Sequence, residues 1–158
     1  MKTFKCFLTF FVSVLIASCG ILPLKTEMKV DHFRFENFKR DISSPSELVH
    51  LMCYRKKPTH WSEPKQYLGG EHELWVEANI SDPTSPTSDK EAFVLFKIKL
   101  DSGKSYMLNR KIEGEKISIW IQDTESGLKV SKVITTDLNI AAFGKRTFRK
   151  KRCKSGSI

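Results

Sequence analysis

Residues 72–80 read HELWVEANI, and residues 91–100 read EAFVLFKIKL. In the first, Leu74, Val76, Ala78 and Ile80 alternate with Glu73, Trp75, Glu77 and Asn79. In the second, Ala92, Val94, Phe96, Ile98 and Leu100 share one parity, and Lys97 and Lys99 hold the other. A period of two is the strand period, because successive side chains of an extended chain point to opposite faces. Outward from these runs the alternation recurs. Phe33 and Phe35 show it, as do Val49, Leu51 and Cys53 against His50 and Met52, Tyr106 and Leu108 against Met107 and Asn109, and Ile117, Ile119 and Ile121 against Ser118 and Trp120. A further run starts at Leu128 and Val130 and continues through Val133 and Ile134. Turn signals separate the runs: residues 101–104 (DSGK), 113–115 (EGE) and 125–127 (ESG), with a longer loop over residues 81–89. No stretch carries a helical stripe; residues 44–52 (SPSELVHLM) come nearest, with room for one opening turn. About seven short strands joined by turns predict an all-β, antiparallel sandwich or barrel over residues 31–144.

Hydrophobic residues make up 40% and aromatic residues 11% of the 158, a globular composition. The formal charge of +9 is unevenly spread. Residues 145–158 (KRTFRKKRCKSGSI) carry seven cations and no acid, whereas residues 19–144 hold 18 basic and 18 acidic groups. The body is neutral and the tail basic. Such a tail attracts anions, at about 1 kcal/mol per basic residue near an anionic membrane. Arg149, Lys150, Lys151 and Arg152 are its candidate contacts; the plainer expectation is a solvated, disordered segment.

The chain opens MKTFKCFLTFFVSVLIASCG. Lys2 and Lys5, an apolar run to Ile16 and three small residues describe a secretory signal peptide over residues 1–18. The uncharged stretch from Cys6 to Leu24 approaches the length of a membrane span, but Gly20 and Pro23 interrupt it. Ile16-Ala17-Ser18-Cys19 resembles the lipobox of bacterial lipoproteins. That resemblance implies cleavage after Ser18, lipidation of Cys19, a tether over residues 19–30 and a lipid anchor in the membrane. Gly20, where Asp would retain such a protein in the inner membrane, implies the periplasmic face of the outer membrane. With Cys6 removed and Cys19 lipidated, Cys53 and Cys153 remain. They form either a disulfide, which an oxidising compartment would preserve, or two free thiols, one in the core and one in the tail.

A second resemblance covers residues 68–130. Gly70-Glu71-His72-Glu73-Leu74-Trp75-Val76, the turn Asp101 to Tyr106, and Ile119-Trp120-Ile121-Gln122-Asp123 followed by Thr124 to Gly127 are similar, in order and spacing, to motifs of small bacterial lipoproteins of unassigned function. It implies an immunoglobulin-like β-sandwich. Gly69 and Ser126 stand where those proteins carry Pro and Thr.

Chemistry is sparse. Ser102-Gly103-Lys104-Ser105 looks like the end of a phosphate-binding loop, but Ile98 replaces the required Gly and the segment joins two strands. His32, His50, His60 and His72, with Cys53 and Glu63, fit no zinc spacing, and no G-x-S-x-G elbow is present. No catalytic residue, cofactor, metal, small-molecule substrate or nucleic-acid partner is expected. Trp75 and Trp120 lie on the outward parity of their strands. They predict either an apolar contact patch for a partner or packing under a neighbouring segment. Three function classes stay open. The first is a non-catalytic envelope lipoprotein docking to a protein or anionic envelope component. The second is an inhibitor or immunity lipoprotein against a toxin or lysozyme; the third, least supported, is a hydrolase.

Overall fold

The computed structural model describes residues 27–41, 45–54, 56–58, 64–85, 89–141 and 145–155. The signal peptide, Cys19 and most of the expected tether therefore lie outside the described residues, as do His60 and Glu63. The two runs that set the expectation form the longest pairing, the antiparallel hairpin of β7 (Gly70–Ser81) and β8 (Lys90–Leu100); the remaining strands are β1 (His32–Glu36), β2 (Phe38–Arg40), β3 (Ser46–Leu51), β4 (Cys53–Tyr54), β5 (Lys57–Pro58), β6 (Lys65–Leu68), β9 (Ser105–Glu113), β10 (Lys116–Asp123), β11 (Ile134–Asp137) and β12 (Asn139–Ile140), before one helix, α1 (Lys145–Cys153).

Two five-stranded sheets form, in the orders β11-β10-β9-β1-β6 and β12-β8-β7-β3-β2, with β4-β5 as a separate hairpin. They are called here the first and second sheet. Every strand pair is antiparallel except β1 with β9, which is parallel. Among its changes of sheet, the chain crosses at Asn37, between β1 and β2, and near its other end at Leu138, between β11 and β12. At the first crossing the Asn37 side-chain oxygen accepts the Leu51 amide at 2.9 Å, so a backbone donor at the end of β3 stays bonded. Splitting the ends of the chain this way raises the strand number to twelve among the described residues, against about seven expected. The short pieces β2, β5, β6, β11 and β12 are too brief to show alternation.

The core lies between the sheets. Val49, Leu51, Leu74, Val76, Ala78, Ala92, Val94 and Phe96 of the second sheet meet Phe33, Phe35, Tyr106, Leu108, Ile117, Ile119 and Ile121 of the first. Glu47 of β3 bridges the layers through ion pairs with Arg110 of β9 and Arg40 of β2.

Two local expectations change. Residues 46–51 form strand, not a helical turn. The run from Leu128 becomes a ladder only at its end, Ile134: before it, the amides of Val130 and Ser131 both donate to the Ile121 carbonyl, and the Ser131 hydroxyl accepts the Ile121 amide. Before β11 takes up the pairing at Ile134, opposite Ile119, Lys129 forms a single bridge to Gln122, and Leu128, Val130 and Val133 are exposed.

The turn motifs have structural duties. The Asp123 carboxylate accepts the Ser126 amide and hydroxyl and the Glu125 amide, so Ser126 supplies the same hydroxyl that a Thr would. Those bonds hold Asp123 below the usual aspartate pKa. Gly103 sits at φ 76°, where a side chain would be strained. A Cβ on Gly69 would meet the Ser102 nitrogen at 2.9 Å. The ring of His72 lies 5.4 Å from that of Phe33, whose other neighbours are Phe35, Tyr67 and Tyr106.

Candidate functional site

One face of the second sheet packs on the core; its other face is the place where the periodicity expects solvent. Register places His50 opposite Glu77 and Glu77 opposite Phe93 on that outer face, with Trp75 two residues before Glu77. Yet His50, Met52 and Glu77 are buried. The cover is α1. Met52, Cys53 and Cys153 form a second apolar cluster with Trp75 and Phe93 packed against it.

Nothing intrinsic to α1 makes it a stable helix. It has nine residues, fewer than the ~12–15 an isolated helix needs in water. Arg146 and Lys150 are like charges four positions apart, which repel. Its first turn carries no acid, although Lys150, Lys151 and Arg152 do suit the negative end of the helix dipole. Tertiary contacts supply the rest, through Phe148, Arg149, Arg152 and Cys153, spaced to share one helix face. Cys153 is bonded to Cys53 across 100 positions, with 5.3 Å between their Cα atoms. Arg149 forms an ion pair with the buried Glu77, whose other oxygen lies 3.7 Å from His50 Nε2. The Arg152 guanidinium stacks 4.1 Å from the ring centroid of Phe148, 4.4 Å from that of Trp75 and 5.1 Å from that of Phe93. The rings of Phe93 and Phe148 meet edge to face at 5.0 Å. Trp75 Nε1 donates to the Ser155 hydroxyl at 3.2 Å, which in turn donates to the Arg152 carbonyl at 2.8 Å. Burial pulls the Arg152 pKa below the ordinary arginine value. The electron-rich ring faces compensate a cation taken out of water.

A second face of α1 looks across a cleft of about 700 Å³ toward the β4-β5 hairpin. Its lining is Lys56, Lys57 and Pro58 on the hairpin side and Arg146, Arg149, Lys150 and Lys154 on the helix side. Among the described residues, every charged residue in that lining is a cation. Such a set holds anions: Lys as a mobile point charge, Arg as a planar fork that grips two oxygens at once.

The structure thus brings together Cys53, Cys153, Trp75, Arg149 and Arg152, and places Lys150 on the cleft. Lys151 is exposed and outside the lining. Trp120 is elsewhere, on the outer face of the first sheet, where Lys129 Nζ sits 4.5 Å from its ring centroid and its Nε1 donates to Gln122 Oε1 at 3.1 Å. The basic segment expected as a loose tail is a docked helix over Lys145–Cys153. Sequence reasoning missed Lys56 and Lys57 as site residues; it weighed His50 only as a metal ligand and placed Glu77 on an outward strand face, with no link from either to the basic segment. The available signal was the spacing of Phe148, Arg149, Arg152 and Cys153 at i, i+1, i+4 and i+5, one helical face within the cationic run. Among the described residues, no group of three His, Cys, Asp or Glu converges as a metal site, and no helix is long and apolar enough to cross a membrane.

No protein-family model, no curated protein and no solved structure matches the chain.

Proposed function

We propose that this chain is a non-catalytic lipoprotein of the bacterial envelope, anchored through Cys19 on the periplasmic face of the outer membrane. In this reading an immunoglobulin-like β-sandwich presents a basic helix to an anionic envelope component. The observation that carries it is the ordering of the basic segment: six of its seven cations, which would repel one another in solution, are gathered into a helix that is cross-linked to the domain. The lipobox-like Ile16 to Cys19 supports the anchor, and a structural disulfide suits an oxidising compartment. The mechanism is anchoring plus electrostatic docking, with no bond made or broken. Several acyl chains hold the domain at the membrane, since one chain binds only marginally. The helix then adds attraction at about 1 kcal/mol per exposed basic residue, weakened by salt.

Two experiments test this reading. Intact mass spectrometry of protein extracted from membranes is expected to give a chain beginning at a triacylated Cys19; a mass beginning at Met1 overturns the anchor. In-cell crosslinking compares the wild type with Lys150→Gln/Lys151→Gln/Lys154→Gln, which removes charge but keeps the disulfide and the buried helix face. Association with the anionic component is expected to fall in the variant. A specific protein captured equally by both forms would instead move function to the sandwich surface near Trp120.

A further inference from the structure

The cationic cleft has a feature that a merely sticky helix would lack: its two walls are fastened to each other. Lys56 and Lys57 follow Cys53 on the β4-β5 hairpin, while Arg146 and Lys150 lie on the helix that ends in Cys153 and Lys154 follows it directly. The Cys53–Cys153 bond holds hairpin and helix side by side, and the Arg149–Glu77 pair fixes the helix against β7. Among the described residues no carboxylate is paired with Lys56, Lys57, Arg146, Lys150 or Lys154, whereas Arg149 already has Glu77. Among the described residues, five cations without a carboxylate partner are therefore pressed into one cleft. Like charges in a shared concavity repel and raise the local potential for a counter-ion. A fold that cross-links them in place, rather than letting them splay apart, is preorganised for an anion.

From this, and resting on the docking reading above, we infer that the cleft between α1 and the β4-β5 hairpin is a binding site for a ligand carrying two phosphate groups. Charge sets the number: a phosphate monoester carries about −1.5 to −2 at neutral pH, so two balance most of the unpaired cations and one does not. Residue type sets the chemistry, because Arg and Lys together combine bidentate and point-charge contacts to phosphate oxygens. Pro58 and the methylene stems of the lysines make the walls apolar below the charges. A bisphosphorylated lipid headgroup and a free pyrophosphate share this chemistry.

The test uses the full-length, oxidised protein. Binding is measured to inorganic pyrophosphate and to phosphatidylcholine vesicles doped with bisphosphorylated lipid A. A comparison set is doped with phosphatidylglycerol to the same surface charge. Four proteins are compared: wild type, Lys56→Gln/Lys57→Gln in the cleft, Lys99→Gln/Lys132→Gln on exposed strand and loop positions with the same charge loss, and the helix variant Lys150→Gln/Lys151→Gln/Lys154→Gln. All are checked for unchanged melting, which exposed lysines make a fair demand. The expected result is bisphosphate binding that falls about tenfold or more in the Lys56/Lys57 variant and far less in the Lys99/Lys132 variant. If this holds for the vesicles alone, the ligand is a lipid headgroup; if for pyrophosphate alone, it is a free phosphate compound. Equal affinity for phosphatidylglycerol vesicles, or equal losses in the two double variants, overturns the site in favour of net charge. An unchanged Lys56/Lys57 variant beside a weakened helix variant overturns the cleft and leaves the docking reading standing. Binding insensitive to all three variants overturns both.

Discussion

Trp75 and Trp120 read alike in the sequence, each an indole on the outward parity of an alternating strand, and each ends with a cation over its ring: Arg152 at 4.4 Å for Trp75, Lys129 at 4.5 Å for Trp120. What surrounds them differs. Trp120 is shielded by side chains from its own neighbourhood, Gln122 two residues on and Lys129 on the segment that follows β10. Trp75 is roofed by a helix from the far end of the chain, held by a disulfide and a buried ion pair. The first arrangement leaves an ordinary half-wet sheet face. The second turns an outer face into a second, smaller core, and converts a run of cations into a walled cleft. An amphipathic strand pattern identifies which residues leave the main core; it does not say what meets them there.

The contrast can be broken most forcefully at Glu77. Glu77→Ala is expected to cost about 3–5 kcal/mol, since it strands Arg149 in a mostly buried position. Urea unfolding of the oxidised protein measures it, and a cost under about 1 kcal/mol would mean that the ion pair does not hold the cover. Next comes the staple. Cys153→Ser is expected to lower stability by about 2–4 kcal/mol, the range for a disulfide closing a long loop, and to reduce the helical far-UV signal. The comparison itself is sharpened by two matched truncations. Trp75→Ala should cost about 2–3 kcal/mol and Trp120→Ala about 1 kcal/mol or less, because only the first loses ring contacts inside a closed cluster. Equal costs would remove the distinction between the two faces.

The smallest effect is at the Asp123 turn on the first sheet. Its carboxyl is held below the ordinary aspartate pKa by bonds from Ser126 and Glu125. A depressed folded pKa contributes stability that is fully present above the unfolded value and lost as pH falls through the folded one. The stability gap between wild type and Asp123→Asn should therefore be constant at neutral pH and shrink in acid below about pH 4. A gap that grew on acidification would contradict the assignment.

Much of the sandwich was legible because its residues obey a local rule. Leu74, Val76 and Ala78, or Ile117, Ile119 and Ile121, reveal their face within six positions. The short edge strands β2, β11 and β12 were not legible, since two to four residues cannot show a period. The site was half legible. Cys53, Cys153, Trp75, Arg149 and Arg152 could be singled out by type and charge, but their convergence depends on a contact across 100 positions. Lys56 and Lys57 had no signal at all, because their importance comes only from which helix lies opposite. Glu77 was hidden by its own alternation, which assigns a carboxylate to water.

The account rests most heavily on the basic segment being an ordered cover, and hydrogen exchange measures that most directly. In a nine-residue helix the first amides have no intrahelical acceptor, so protection is expected from about Arg149 to Cys153. The account predicts slow exchange at these amides, and at Met52, whose amide donates to the Trp75 carbonyl beneath the helix, in the oxidised protein. It also predicts that reduction of Cys53–Cys153 speeds exchange in the helix while β7 and β8 stay protected. Exchange at Arg149 to Cys153 as fast as in an unfolded peptide, with the disulfide intact, would contradict it.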